Sequence, residues 1–348
     1  MKVIKMKRIA ALTLALVMSL FLLTACGDKT SPNPDDPNSA DKATLSLTCA
    51  HVMSEADPYH TGAQAFCDLV TEKTDGRITF TMFPNGQIGA ERDITEGVSM
   101  GTVDVAIVTN AFCVNLAPEM GVLDFPYLFQ SREEAYEILD GEIGDELFSY
   151  LEASNIKGLA YMENGFRNLN TRDKLISSPE EIKGMKIRTM ETPVHLAAFN
   201  AAGANATPVS AAELFTALQQ GTVKGQENPI KSIYDYKFYE VCPYITKTEH
   251  FYSSANLIMN LDVWNNLSDE DKAIFEECAV EATQIQRDAC AERESECLRM
   301  MTDLGVQIEE NVDKQAWAEA MHPVYEDANM IAQYGVYLDK ITEALGRS

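Results

Sequence analysis

Between Thr44 and Gly221, short apolar runs of strand character alternate with segments that open on helix caps. That alternation restricts the chain to an α/β architecture. TLSLTCA (Thr44 to Ala50) alternates with a period of two, and Pro58 to Lys73 reads as the helix that follows. ITFTMF (Ile78 to Phe83) is a second strand and Glu91 to Met100 a helix. VDVAIV (Val103 to Val108) is a continuous apolar run suited to a buried parallel strand. Ser131 with Glu134 forms a capping box. Ser178-Pro179-Glu180-Glu181 is a stronger helix start, with serine at the cap, proline at the first helical position and glutamate at the third. Ser210 and Glu213 repeat the pattern before LFTALQQG, which Gly221 closes. In folds of this kind ligands gather at the carboxyl ends of the strands.

The amino terminus reads differently. Lys2, Lys5, Lys7 and Arg8 precede an apolar run from Ile9 to Leu23 and then Thr24-Ala25-Cys26, the pattern of a signal peptide over residues 1–25. The run is shorter than the roughly 20 apolar residues a membrane span needs. LTAC fits a lipoprotein processing site, so Cys26 is expected to carry the lipid and become the new N-terminus, with two acyl chains anchoring it stably. The rest of 26–43, rich in proline and acids, is expected to be a disordered tether reaching roughly 56 Å.

The remaining residues are too many for one compact core, so two domains are expected. Without the four basic residues of the signal, 24 basic side chains face 53 acidic ones, a net charge of −29. Such a surface excludes nucleic acid and anionic lipid as partners, and any carboxylate site needs its own local cations. The stretch from Arg167 to Arg188 supplies them. No GxSxG, HExxH, GxGxxG or phosphate loop occurs, and the five histidines never pair at metal spacing, so neither enzyme, metal nor cofactor is expected. Seven cysteines besides Cys26 show no CxxC and read as free, mostly buried thiols. Asp269 to Leu304 holds no proline or glycine and would make a helix of about 54 Å, either spanning two domains or amphipathic in a coiled coil.

GMKIR (Gly184 to Arg188), AAELFTALQQG and VKGQENP (Val223 to Pro229) place an arginine on a strand and an asparagine in a turn forty residues later. This run resembles the solute-binding proteins of tripartite ATP-independent periplasmic (TRAP) transporters, of the dicarboxylate- and sugar-acid-binding type. The likeness extends through HVMSEADPYHTGAQAF, QIGAERDITEGVSMGTVDVAI, DFPYLF and FYEVCPYITKTEH, and covers nearly the whole chain after residue 43. Lys224 departs from the family, which usually has an acid there. The resemblance implies a two-domain periplasmic-binding-protein-like fold of type II with a ligand cleft between domains. It places 44–164 with 254–293 in the first domain and 165–253 with 294–348 in the second, with the long helix crossing both.

The resemblance also implies a role. The chain would be a monomeric, lipid-anchored extracytoplasmic protein that captures a small organic acid, a uronate, aldonate or C4-dicarboxylate. It would deliver that acid to a permease with a small four-span and a large multi-span subunit. A sensory ligand-binding module for a membrane signalling partner is the alternative. Arg188 in GxKxR is then the carboxylate anchor, since a guanidinium offers two parallel N–H donors. Arg167 is a second cation and Asn228 a donor and acceptor beside the carboxylate. Glu91 or Arg92 approaches the ligand's far end, unless the two serve capping and surface pairing. Thr109 and Asn110 replace the glutamate of sialic-acid binders and fit hydroxyl-rich acids.

Overall fold

A computed structural model describes residues 44–347; the expected signal peptide, tether and lipidated Cys26 lie outside them. Among the described residues nine strands form one sheet: β1 (Leu45–Ala50), β2 (Ile78–Phe83), β3 (Val105–Thr109), β4 (Ile156–Thr171), β5 (Lys186–Thr189), β6 (Asn205–Pro208), β7 (Gly225–Pro229), β8 (Tyr244–Asn260) and β9 (Gln307–Glu309). Their order is β2-β1-β3-β8-β4-β7-β5-β6, with β9 beside β8. β1 pairs in parallel with β2 and β3, and β5 does so with β6 and β7. The two parallel ends are joined by β4 and β8, which run antiparallel along their whole length from Ile156 opposite Asn260 to Thr171 opposite Tyr244.

Each joining strand therefore serves two lobes. The later part of β8 carries β3, and the later part of β4 carries β7. Register shifts between Gly158 and Ala160, Glu163 and Gly165, and Arg167 and Leu169 kink the pair midway. Gly165 adopts a φ of +117°, which a residue with Cβ rarely takes, and so allows the bend two positions before Arg167.

Among the described residues thirteen α-helices accompany the sheet: α1 (Pro58–Lys73), α2 (Glu91–Met100), α3 (Asn110–Cys113), α4 (Arg132–Leu139), α5 (Glu142–Ser149), α6 (Pro193–Ala201), α7 (Ala211–Gln220), α8 (Ile230–Asp235), α9 (Leu261–Asn266), α10 (Asp269–Asp303), α11 (Lys314–Met321), α12 (Pro323–Glu326) and α13 (Ala328–Ala344). The 35-residue α10 starts where the Ser268 side chain accepts from the Asp271 amide at 3.1 Å, with three acids in the first turn facing the positive end of the helix dipole. Phe275, Cys278 and Ala282 of α10 enter the core that Phe66, Val105 and Leu257 build. Further along, Cys297 and Met301 enter a second core with Leu214, Leu218 and Ile233. One helix thus backs both lobes.

The structure differs from sequence expectation at three places. GQENP is strand β7, not a turn, because its backbone pairs with β4 from Arg167–Pro229 to Thr171–Gly225. The cap signal at Ser178 opens only a 3-10 turn, Pro179–Ile182, because Gly184 at φ +73° turns the chain directly into β5. The carboxyl-terminal helix, expected with the second lobe, packs on the first. Tyr334 meets Phe125 edge to face, the Tyr337 hydroxyl donates to Glu146 at 2.8 Å, and Arg347 donates to the Leu128 carbonyl at 2.7 Å. The seven cysteines of the described residues are free and buried.

Candidate ligand cleft

Arg188 sits near the carboxyl end of β5 and is 3 % exposed. Its Nε donates to the Val209 carbonyl at 2.7 Å, which fixes the plane of the guanidinium. Nη1 is buried and finds no hydrogen-bond partner among the described residues. Burial makes the charged form costly, and the repulsion of Arg167 adds to this against the attraction of Glu227 and Glu91. The arginine is pushed down to about 10.

Arg167 is held differently. Its Nε and Nη2 grip the Glu227 carboxylate, with Nη2–Oε1 at 2.9 Å, and Nη2 also reaches the Glu227 carbonyl at 2.7 Å and Asn228 Oδ1 at 3.2 Å. Burial alone would push Glu227 up. The Arg167 charge, with His195 and His250, wins and holds it well below the usual carboxylate range. His250 Nε2 lies 3.5 Å and His195 Nδ1 3.8 Å from that carboxylate. Arg167 is therefore held in a direct ion pair, whereas Arg188 makes none among the described residues and feels Glu227 and Glu91 only from further off.

Glu91, first residue of α2, faces both arginines. Its Oε1 accepts from the Thr109 amide at 2.6 Å and the Thr109 hydroxyl at 2.8 Å, so the end of β3 fixes it. Burial raises its proton affinity against the pull of those bonds and of the two guanidinium groups. Behind Thr109 the Tyr59 hydroxyl lies 3.2 Å from Thr109 Oγ1, and Lys231 Nζ stands 4.8 Å above the Tyr59 ring. Lys231 in turn makes a buried ion pair with Asp57, the cap of α1, at 3.0 Å.

These groups surround a cleft between the lobes. An inner recess of about 40 Å³ is lined by Tyr59, Thr109, Asn164, Arg167, Asn228 and Ser232. A wider part of about 560 Å³ opens beyond it, and Arg188, Glu91, Phe112, Met190, Ala211 and Tyr236 border both. At the rim the Arg92 guanidinium pairs with Glu191 at 2.5 Å, linking the start of α2 to the segment after β5. A larger groove of 620 Å³ runs between α5 and α10, but there Arg287 is already held by Asp140 through both terminal nitrogens at 2.6 and 2.7 Å. Among the described residues, the buried arginine that borders open space without an ion pair is Arg188.

Four of the residues singled out in the sequence, Arg188, Arg167, Asn228 and Glu91, meet at the inner end of this cleft, and Arg92 stands at its mouth. Asn110 does not join them. It begins the turn of α3, which carries its amide into the core, donating to Met120 O and Asp124 Oδ1 at 3.1 Å each while its Oδ1 accepts from Asn256 at 3.3 Å. The neighbouring Thr109 is the residue that reaches the recess. Tyr59, Asn164, Ser232 and Tyr236 were not read from the sequence. Their local patterns resemble ordinary core and helix positions, and only the sheet topology brings them together.

A two-lobed α/β sheet with strands exchanged at a hinge, a spanning helix and an interlobe cleft defines the type II periplasmic-binding fold. The family model for bacterial extracellular solute-binding proteins, family 7 (DctP), matches residues 49–331, and the chain belongs to that family. It is 34% identical over 279 residues to the 2,3-diketo-L-gulonate-binding periplasmic protein of Escherichia coli K12, covering 80% of this chain and 85% of that one. The crystal structure of a TRAP periplasmic solute-binding protein from Polaromonas sp. JS666 bound to D-erythronate superposes with a TM-score of 0.82 at 36% identity. It covers 86% of this chain and 98% of that one. A TRAP solute-binding protein from Sulfitobacter sp. NAS-14.1 with bound β-D-galacturonate gives 0.81 at 31% identity, covering 85% and 98%. Membership makes this chain a transport solute-binding protein rather than an enzyme. Among the described residues no helix is long and apolar enough to cross a membrane.

Proposed function

We propose that this protein captures a small organic acid outside the cytoplasm and delivers it to a TRAP-type permease, with the acid's carboxylate paired to Arg188. The single observation that supports this most is the buried Arg188 guanidinium, whose Nη1 has no partner among the described residues while Arg167 is neutralised by Glu227. An incoming carboxylate supplies the missing countercharge and satisfies the donors, a pairing that is strong only where water is excluded. Asn228 Oδ1 already accepts from Arg167 and its Nδ2 donates to Gln226 at 2.5 Å, so Asn228 holds the floor beneath the carboxylate. Relatives bind 2,3-diketo-L-gulonate, D-erythronate and β-D-galacturonate, and on that likeness the ligand here is a small acid that carries at least one hydroxyl.

The lobes close around it as the hinge in β4, β8 and α10 flexes. The proposed lobes are 44–164 with 254–293 and the terminal helix α13, against 165–253 with 294–321. LTAC supports a lipid at Cys26 that keeps the protein at the membrane near its permease. A thermal-shift screen against organic acids tests the function. An acid at a hundred times its dissociation constant stabilises the fold by about 2.7 kcal/mol. If sugars, amino acids or polyamines raise the melting temperature and no acid does, the carboxylate reading fails.

A further inference from the structure

The cleft changes character along its length. The inner recess is the more polar part, with Thr109, Asn164, Asn228 and Ser232 beside the two arginines, although Met53 and Met190 line it as well. The wider part beyond Arg188 is walled by Val52, Phe112, Met190, Val209, Ala212 and Tyr236. Several of its polar side chains are already bonded, while the Asn85 side-chain amide has no bond among the described residues. The Ser210 hydroxyl lies 2.9 Å from Glu213, Asp93 Oδ2 accepts from the Ala90 amide at 2.9 Å, and Glu91 Oε1 is held by Thr109. Its charges are also unfavourable to a second anion. Glu91, Asp93 and Glu191 line it, and the cation there besides Arg188 is Arg92, which Glu191 already pairs at 2.5 Å.

We propose that the solute is a monocarboxylic hydroxy acid with an apolar far end: carboxylate and adjacent hydroxyl in the recess, and a branched alkyl or aromatic body against Phe112, Met190 and Val209. This rests on the carboxylate function proposed above and narrows its substrate class. A ligand hydroxylated along its whole length would also set hydroxyls against Phe112, Met190 and Val209, and any beyond reach of Asn85 and the carboxylates would be buried without partners, which costs more than a made bond returns. A dicarboxylate would place its second charge beside three acids and one committed arginine. Each methylene buried along the apolar wall, by contrast, improves affinity by about fourfold.

Titration calorimetry on the whole folded protein separates the possibilities, with 2-hydroxyisocaproate and mandelate against erythronate, gluconate, glucuronate and malate. We expect one of the first two to bind at least about tenfold tighter than any of the other four, the gain of two buried methylenes or more. Met190→Gln and Val209→Thr, which keep size and add polarity, should narrow that ratio by about tenfold while Arg188 stays intact. Tighter binding of erythronate, gluconate, glucuronate or malate, or a ratio the two substitutions leave unmoved, overturns the inference while the carboxylate function stands. Binding of none of the six overturns both.

Discussion

Replacing Arg188 by alanine should separate affinity from stability in opposite directions. The side chain is 3 % exposed and its guanidinium is pushed down to about 10, chiefly by burial. At 1.36 kcal/mol per pKa unit, holding that cation in the unliganded cleft costs on the order of 3 kcal/mol. Alanine removes this cost and leaves a polar-walled gap open to the cleft, so the unliganded melting temperature should hold or rise. The ligand then loses its partner. Stripping one member from a desolvated charge pair costs roughly 2–5 kcal/mol. With a factor of ten per 1.4 kcal/mol, affinity should fall on the order of 30- to several-thousand-fold. Lysine should restore only part, since it keeps the charge without the two-pronged geometry. Lys186→Ala, on the exposed first residue of β5, is the control and should change neither quantity. Differential scanning fluorimetry with calorimetry reads both. A variant that melts several degrees lower yet binds the acid within a few-fold of wild type would make Arg188 a structural residue and refute the reasoning.

Three further outcomes follow from the geometry. Asn110→Ala should lower stability by roughly 1–3 kcal/mol, measured by urea unfolding, because it leaves the Asp124 and Met120 acceptors unpaired. Its dissociation constant should stay within about threefold of wild type, and a larger loss would return Asn110 to the ligand site. Arg92→Gln removes an exposed rim pair worth about 0–1 kcal/mol, so calorimetry should find affinity changed by less than about fivefold. His51, lowered to about 4 by burial and by His60, is held neutral in the fold while the unfolded chain protonates near 6.5. The unfolded state binds more protons between those values, so stability falls as pH drops from 6.5 to 4, by on the order of 3 kcal/mol at most. His51→Gln should flatten that slope in urea melts taken across the window; an unchanged slope removes His51 from the explanation.

The sequence made the site's chemistry easier to read than its surroundings. Arg188 and Arg167 stood out because the family resemblance singles them out and a carboxylate site in a strongly acidic chain needs local cations; in the structure both are 3 % exposed or less. Glu91 was legible as a helix start beside a turn, but the Thr109 clamp that orients it needed the position of β3. Asn110 was misplaced because residue type and distance along the chain do not fix direction, and one turn of α3 rotates its amide into the core. The long helix α10 was visible from the missing glycines and prolines. The pairing of β4 with β8 is set by register between segments about ninety residues apart, which no local period records. The docking of α13 on the first lobe likewise rests on Tyr334, Tyr337 and Arg347 meeting residues far earlier in the chain.

The most direct test is a crystal structure of the complex with the tightest-binding acid from the calorimetric panel. We expect the ligand carboxylate about 2.8 Å from the terminal nitrogens of Arg188, the usual length of a charge-assisted bond, with Glu227 still on Arg167 and the ligand body along Phe112 and Met190. A carboxylate bound at Arg92, or in the groove beside Arg287, with Arg188 turned to a protein partner, would contradict the assignment of the site.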